Sequence, residues 1–114
     1  MHASIGAYPT YLANEGRSPL TIKAAWGDLT RFIIWWEVQL GRLFEPVLLQ
    51  ESNLHACGLA RQREDGVAPA TINRAMATFR TYCDWAKQTG LIPENPAENI
   101  KAIPTSQAVP KSLL

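Results

Sequence analysis

An all-α fold, a compact bundle of four main helices, is what this sequence predicts, and three observations carry the prediction. Apolar residues recur at alternating steps of three and four, strand-like alternation is scarce, and Pro and Gly fall between the periodic segments. A chain of 114 residues, 46% hydrophobic and 18% charged, supplies one core and one domain.

The first helix is expected from about Ala3 to Glu15, with Ile5, Tyr8 and Leu12 inward, Gly16 as its stop and Pro9 kinking or delaying it. The second opens more sharply, because Ser18 can cap the free N–H groups and Pro19 suits the first helical position. Ile22, Trp26, Leu29, Ile33, Trp36 and Leu40 then form an inward stripe. Gly41 and Pro46 break the chain before "QESNLHACGLARQRED", a weaker third helix with Leu54, Cys57 and Ala60 or Arg61 inward and Gly58 as a destabilising residue.

"DGVAP" makes a turn, and Pro69 takes the first position of the fourth helix. Ile72, Ala75, Met76, Phe79, Tyr82, Cys83 and Ala86 form its apolar side, and Gly90 ends it. Trp85 and Trp35 stand off the main stripes. Beyond Gly90 only "PAENI" could be a short helical turn. Residues 1–102 are therefore expected as one domain, and 103–114, rich in Pro and Ser, as a flexible linker toward something else.

Several function classes are set aside by what the chain lacks. No apolar run approaches the roughly 20 residues of a membrane span, and the N-terminus has no basic-then-apolar signal layout, so a cytoplasmic protein without membrane contact is expected. Cys57 and Cys83 have no CxxC spacing and read as small buried hydrophobes. Tyr8, Tyr11 and Tyr82 fall at helix-periodic positions and read as packing. No convergent acid, base, nucleophile or metal set is present in the sequence, so no cofactor and no enzyme activity are expected of this chain alone.

The net charge of +1 argues against a strongly electropositive nucleic-acid binder, but its distribution is uneven. Residues 17–42 and 67–90 each carry +2, and 45–66 carry −2. Positive charge thus belongs to the second and fourth helices. Around the fourth helix, Arg74 falls roughly 140° from the apolar stripe, beside Ala70, Ala77 and Thr81, whereas Arg80 flanks the core. On the second, Ala24, Gly27 and Arg31 point most outward, with Lys23 to one side. Small side chains beside cations let a helix approach a polyanion, and hydroxyls near a helix start join the free N–H groups in holding phosphates. Taken by charge alone, ordinary solvated faces account for these residues at least as well.

Two segments decide between those readings by resemblance. In "SPLTIKAAWGDLTRFIIWW", Ser18, Thr21, Asp28-Leu29, Phe32 and Trp36, with Trp26 where a Tyr is usual, resemble the N-terminal core-binding (SAM-like) domain of phage integrases and Xer-type tyrosine recombinases. In the second, Thr71-Ile72-Asn73-Arg74, Phe79-Arg80, Trp85-Ala86, Gly90 and Asn95-Pro96 continue the resemblance, and the final "VPKSLL" looks like a connector to a catalytic domain.

The resemblance implies a DNA-binding clamp domain that lays its second and fourth helices across the duplex of a recombination site. Its partners would be double-stranded DNA, the catalytic domain of the same recombinase and other protomers on the DNA. Carried onto this chain, the resemblance implies contacts near the two helix starts, at Thr21, Lys23, Thr71 and Arg74; Ser18, Arg31, Asn73, Thr78 and Arg80 complete the candidate DNA-binding set, Arg80 being equally suited to covering apolar surface with its stem. Replacing Lys23 or Arg74 by Ala is expected to weaken DNA binding without unfolding the domain. The family's tyrosine nucleophile and His-x-x-Arg set find no counterpart, since His55 is followed three residues later by Gly58 and His2 by Ile5. This reading expects Lys23 and Arg74 on one side of the molecule, neither engaged by an internal carboxylate. The competing reading is a helical protein–protein interaction module with solvated arginines.

Overall fold

A computed structural model of the protein describes residues 3–103. Among these residues the architecture is all-helical: a 3-10 turn at Ala3–Gly6 leads into α1 (Ala7–Asn14), followed by α2 (Pro19–Leu40), a 3-10 turn at Pro46–Leu48, α3 (Glu51–Glu64) and α4 (Pro69–Gln88). Of the expected linker 103–114 only Ile103 is described, and it is held against α4 by Asn73 rather than free; residues 104–114, with the "VPKSLL" connector, lie outside the described residues.

The boundaries follow from local chemistry. The Ser18 side chain accepts the Thr21 N–H, Pro19 occupies the first turn of α2, and Gly41 closes that helix in the left-handed conformation at φ 65°. Pro69 likewise opens α4, and Gly90, at φ 83°, lies just past its end. In α3 the Gln50 side chain meets the Asn53 N–H while the Asn53 side chain takes the Gln50 N–H at 3.0 Å, a reciprocal cap that the sequence reading did not anticipate. Pro9 delays the first helix rather than kinking it: the chain opens as a 3-10 turn, and Pro9 falls in the first turn of α1.

The core gathers one face of each helix. Ile5, Tyr8 and Leu12 are buried as expected, as are all seven residues assigned to the α4 stripe. α2 packs against α1, α3 and α4, and α3 against α4. Trp85 proves to be a core residue, 8% exposed, with its ring 5.2 Å from Tyr8 and 5.9 Å from both Tyr11 and Tyr82. The aromatic cluster ties α1 to α4. Trp35 is half-buried, so neither of the tryptophans that stand off the stripes is an exposed ring.

The α2 stripe differs from the expectation. Leu29, Ile33 and Trp36 are buried, but Ala25, Asp28 and Phe32 complete the inner face, while Ile22 and Trp26 are half-buried and Leu40 is 50% exposed. A helix of 22 residues is longer than its neighbours, so its ends overhang the bundle and only its middle is covered.

At Gly58 a Cβ would stand 3.1 Å from the Met76 terminal methyl and 3.2 Å from an Ile72 methyl. The glycine that weakened α3 in sequence is what lets α3 approach α4.

After α4 the chain turns back along the bundle. "PAENI" forms turns, not a helix, because the Asn95 side chain takes the Ala97 N–H at 2.8 Å and donates to Asp84 at 2.7 Å.

Candidate nucleic-acid interface

The nine candidate residues divide by their place around the helices. Ser18, Thr21 and Lys23 are exposed on the first turns of α2, and the Ser18 hydroxyl donates to that of Thr21 at 3.0 Å. Lys23 lines a shallow groove with Pro9, Pro19, Ile22 and Trp26, and among the described residues it forms no ion pair. Arg31 lies two turns further on, within roughly 80° of Lys23 around the helix.

On α4, Thr71, Arg74 and Thr78 share one face at steps of three and four. Asn73 and Arg80 lie roughly 100–120° away from Arg74, on another flank. There they hold the returning chain. Asn73 donates to the Ile103 carbonyl at 2.9 Å and accepts the Ile103 N–H at 2.7 Å. Arg80 donates to the carbonyls of Ala97 and Ile100 at 3.4 and 2.9 Å. These two side chains spend their polar groups on the 97–103 segment, and the structure does not bring them together with the other seven.

At the crossing of α2 and α4 the expectation of a free Arg74, on which the clamp reading from sequence alone depends, fails. Its Nη1 donates to Asp28 Oδ2 at 2.8 Å and its Nη2 to Oδ1 at 3.1 Å, a bidentate pair with an internal carboxylate. Arg31 Nη2 adds a third contact to Oδ1 at 3.3 Å, and the Thr78 hydroxyl donates to Oδ2 at 3.1 Å. Asp28 is fully covered, whereas the Arg74 and Arg31 side chains remain 51% and 54% exposed. The cluster is therefore a half-open array of two guanidiniums over one buried carboxylate, with a net charge of +1 at the surface.

Two residues of this site were missed in sequence. Asp28 was read only as half of an Asp-Leu pair, yet it sits three residues after Ala25 and four before Phe32, on the inner face of α2. A carboxylate on an apolar face requires a cation from a facing element, but the predicted stripe ran through Trp26 and Leu29 and left Asp28 outside it, so the signal appears only once Ala25 and Phe32 are known to be inward. Arg61 of α3 lines the same small hollow as Asp28 and Arg31, and nothing in its sequence position links it to them.

Tyr8 and Tyr82, each 1% exposed, are out of reach of any phosphate. Burial, reinforced by Tyr11, pushes the Tyr8 phenol up to about 12, and burial raises Tyr82 further. Among the described residues the Tyr82 hydroxyl has no hydrogen-bond partner. Cys57 and Cys83 are buried free thiols, raised by burial to about 11 and about 12. No helix among the described residues is long and apolar enough to cross a membrane.

Tyrosine recombinase XerC from a Mycobacterium species (strain JLS) is 29% identical over 99% of this chain, a match covering 37% of that protein. The chain is thus similar, nearly end to end, to part of a Xer-type tyrosine recombinase. XerC of Alcanivorax borkumensis is 30% identical over 96% of the chain and 34% of its own length, and XerC of Neisseria meningitidis serogroup B 29% over 97% and 36%. The chain spans about a third of the length of these XerC relatives. No family model and no solved structure matches it. The Xer likeness therefore stands on sequence, and the all-helical fold is the one the resemblance implied.

Proposed function

We propose that this chain is the core-binding clamp domain of a Xer-type tyrosine recombinase, holding double-stranded DNA for a separate catalytic domain of the same enzyme and working beside other protomers on that DNA in the cytoplasm. The observation that carries the reading is the similarity to XerC over nearly the whole chain. The geometry supports it where α2 and α4 cross: Arg31, Arg74 and the Thr78 hydroxyl gather on the one carboxylate of Asp28, and both guanidiniums stay half exposed.

The contacts are assigned to Ser18, Thr21, Lys23 and Arg31 on α2 and to Thr71, Arg74 and Thr78 on α4. Asn73 and Arg80 act at one remove, by fixing the chain that leaves α4. Phosphate contacts would set position and register, and the small residues Ala24 and Ala70 beside them leave little reach to base edges. Affinity of the isolated domain is expected at ~10⁻⁴ to 10⁻⁶ M.

A second reading, a helical protein-interaction module, draws support from a run of exposed apolar side chains: Ile34 at 59%, Val38 at 73%, Leu43 at 72% and Val47 at 58%. Amide shift mapping with a DNA duplex separates the two. Perturbations clustered at residues 18–31 and 69–81 are expected of the clamp. A spectrum that DNA leaves unchanged favours the module.

A further inference from the structure

A buried carboxylate between two arginines needs a reason beyond stability. Taking a carboxylate out of water is costly, and replacing a buried ion pair by apolar residues is often neutral or stabilising. Asp28 nonetheless occupies the inner face of α2 among Ala25, Leu29 and Phe32, with no exposed side-chain surface. What it provides is geometry. Each carboxylate oxygen accepts two bonds: Oδ1 from Arg74 and Arg31, and Oδ2 from Arg74 and Thr78.

The two guanidiniums are held on one side and open on the other. Arg74 spends two of its five N–H donors on Asp28 and Arg31 spends one, so most of each fork is left for another acceptor. Both side chains are about half exposed. An unrestrained arginine gives up rotamer entropy when it grips a phosphate; one already fixed by a carboxylate gives up less.

We propose that Asp28 is a positioning residue of the DNA interface: it holds Arg31, Arg74 and Thr78 as a fixed array whose outward N–H groups meet a backbone phosphate. The inference rests on the clamp reading above. Its distinguishing feature is a sign. Asp28 is the negative charge of the site, so a purely Coulombic account has Asp28→Asn tighten DNA binding by making the surface more positive. Positioning has the same change weaken it.

The test is fluorescence anisotropy of the full chain with a labelled duplex of arbitrary sequence over a series of salt concentrations, each variant first checked for a native helical spectrum. Asp28→Asn is expected to bind about 3- to 10-fold more weakly, with the log–log salt slope reduced in magnitude by about one as a phosphate contact is lost. Binding as tight as that of the unaltered chain, or tighter, from a folded Asp28→Asn protein overturns the proposal and leaves the clamp reading standing. Should Asp28→Asn not fold, Arg74→Lys decides, because it keeps the charge and loses the bidentate fork. About 3-fold weaker binding is then expected, and unchanged binding overturns the proposal. If the unaltered chain shows no salt-dependent binding, the clamp reading fails and this inference fails with it.

Discussion

Replacing Arg74 by Ala separates an anchored guanidinium from a solvated one. The change removes two charge-assisted bonds, of 2.8 and 3.1 Å, to a carboxylate that has no solvent access. Breaking a buried pair by deleting one partner typically costs about 3–5 kcal/mol. Arg74 is half exposed, and Arg31 and Thr78 stay on the carboxylate, so the expected loss is smaller, about 2 kcal/mol. For a domain of this size that lowers the midpoint of thermal unfolding by roughly 8 °C. Circular dichroism at 222 nm against temperature and urea reads it directly. An exposed ion pair contributes ~0.2–1 kcal/mol, so a loss below ~0.5 kcal/mol would refute the buried anchor. A double-mutant cycle between Asp28 and Arg74 should show coupling above ~1 kcal/mol. Sequence alone had Arg74→Ala costing affinity and not stability; the structure adds the stability cost, so DNA binding by this variant belongs at a temperature where it is folded.

Three further outcomes follow from other parts of the molecule. Burial raises Cys57 to about 11, Cys83 to about 12 and Tyr8 to about 12 from ordinary values of 9.0, 9.0 and 10.0, so their protonated forms favour the folded state. That contribution is complete below pH 9 and is lost as pH rises toward 12; a urea midpoint that holds constant from pH 8 to 11 would contradict it. Gly58→Val should cost more than ~1 kcal/mol, since a Cβ already meets Met76 and Ile72 at 3.1 and 3.2 Å and a branched side chain adds atoms there. A urea midpoint equal to that of the unaltered protein would show that α3 and α4 can move apart. Ser18→Ala should cost ~1 kcal/mol through loss of the bond to the Thr21 N–H, measured the same way.

How far the sequence reached depends on the kind of information each feature uses. Helix starts at Pro19 and Pro69, stops at Gly41 and Gly90, and the α4 stripe are local in the chain, and all were legible. The inner face of α2 was only partly so: alternating steps of three and four put Leu40 inside, but which turns of a long helix are covered is decided by its neighbours' lengths. Trp85 is off the α4 stripe by ideal geometry and is buried because α1 supplies Tyr8 and Tyr11 over it.

The candidate site divides on the same principle. Ser18, Thr21 and Lys23 stand in the structure as their helix positions imply, exposed at the start of α2. The bond between Arg74 and Asp28 joins residues 46 positions apart, and Asn73 reaches 30 positions to Ile103, separations that no local periodicity encodes. A charge count treats Arg74, Arg80 and Lys23 alike. In the fold they do three different things.

The most direct measurement of the central claim is the affinity of this chain for duplex DNA as salt is raised. About three to five phosphate contacts from α2 and α4 give a slope of log K against log salt of roughly −3 to −5. A slope near zero, or no binding at low salt, would contradict the account.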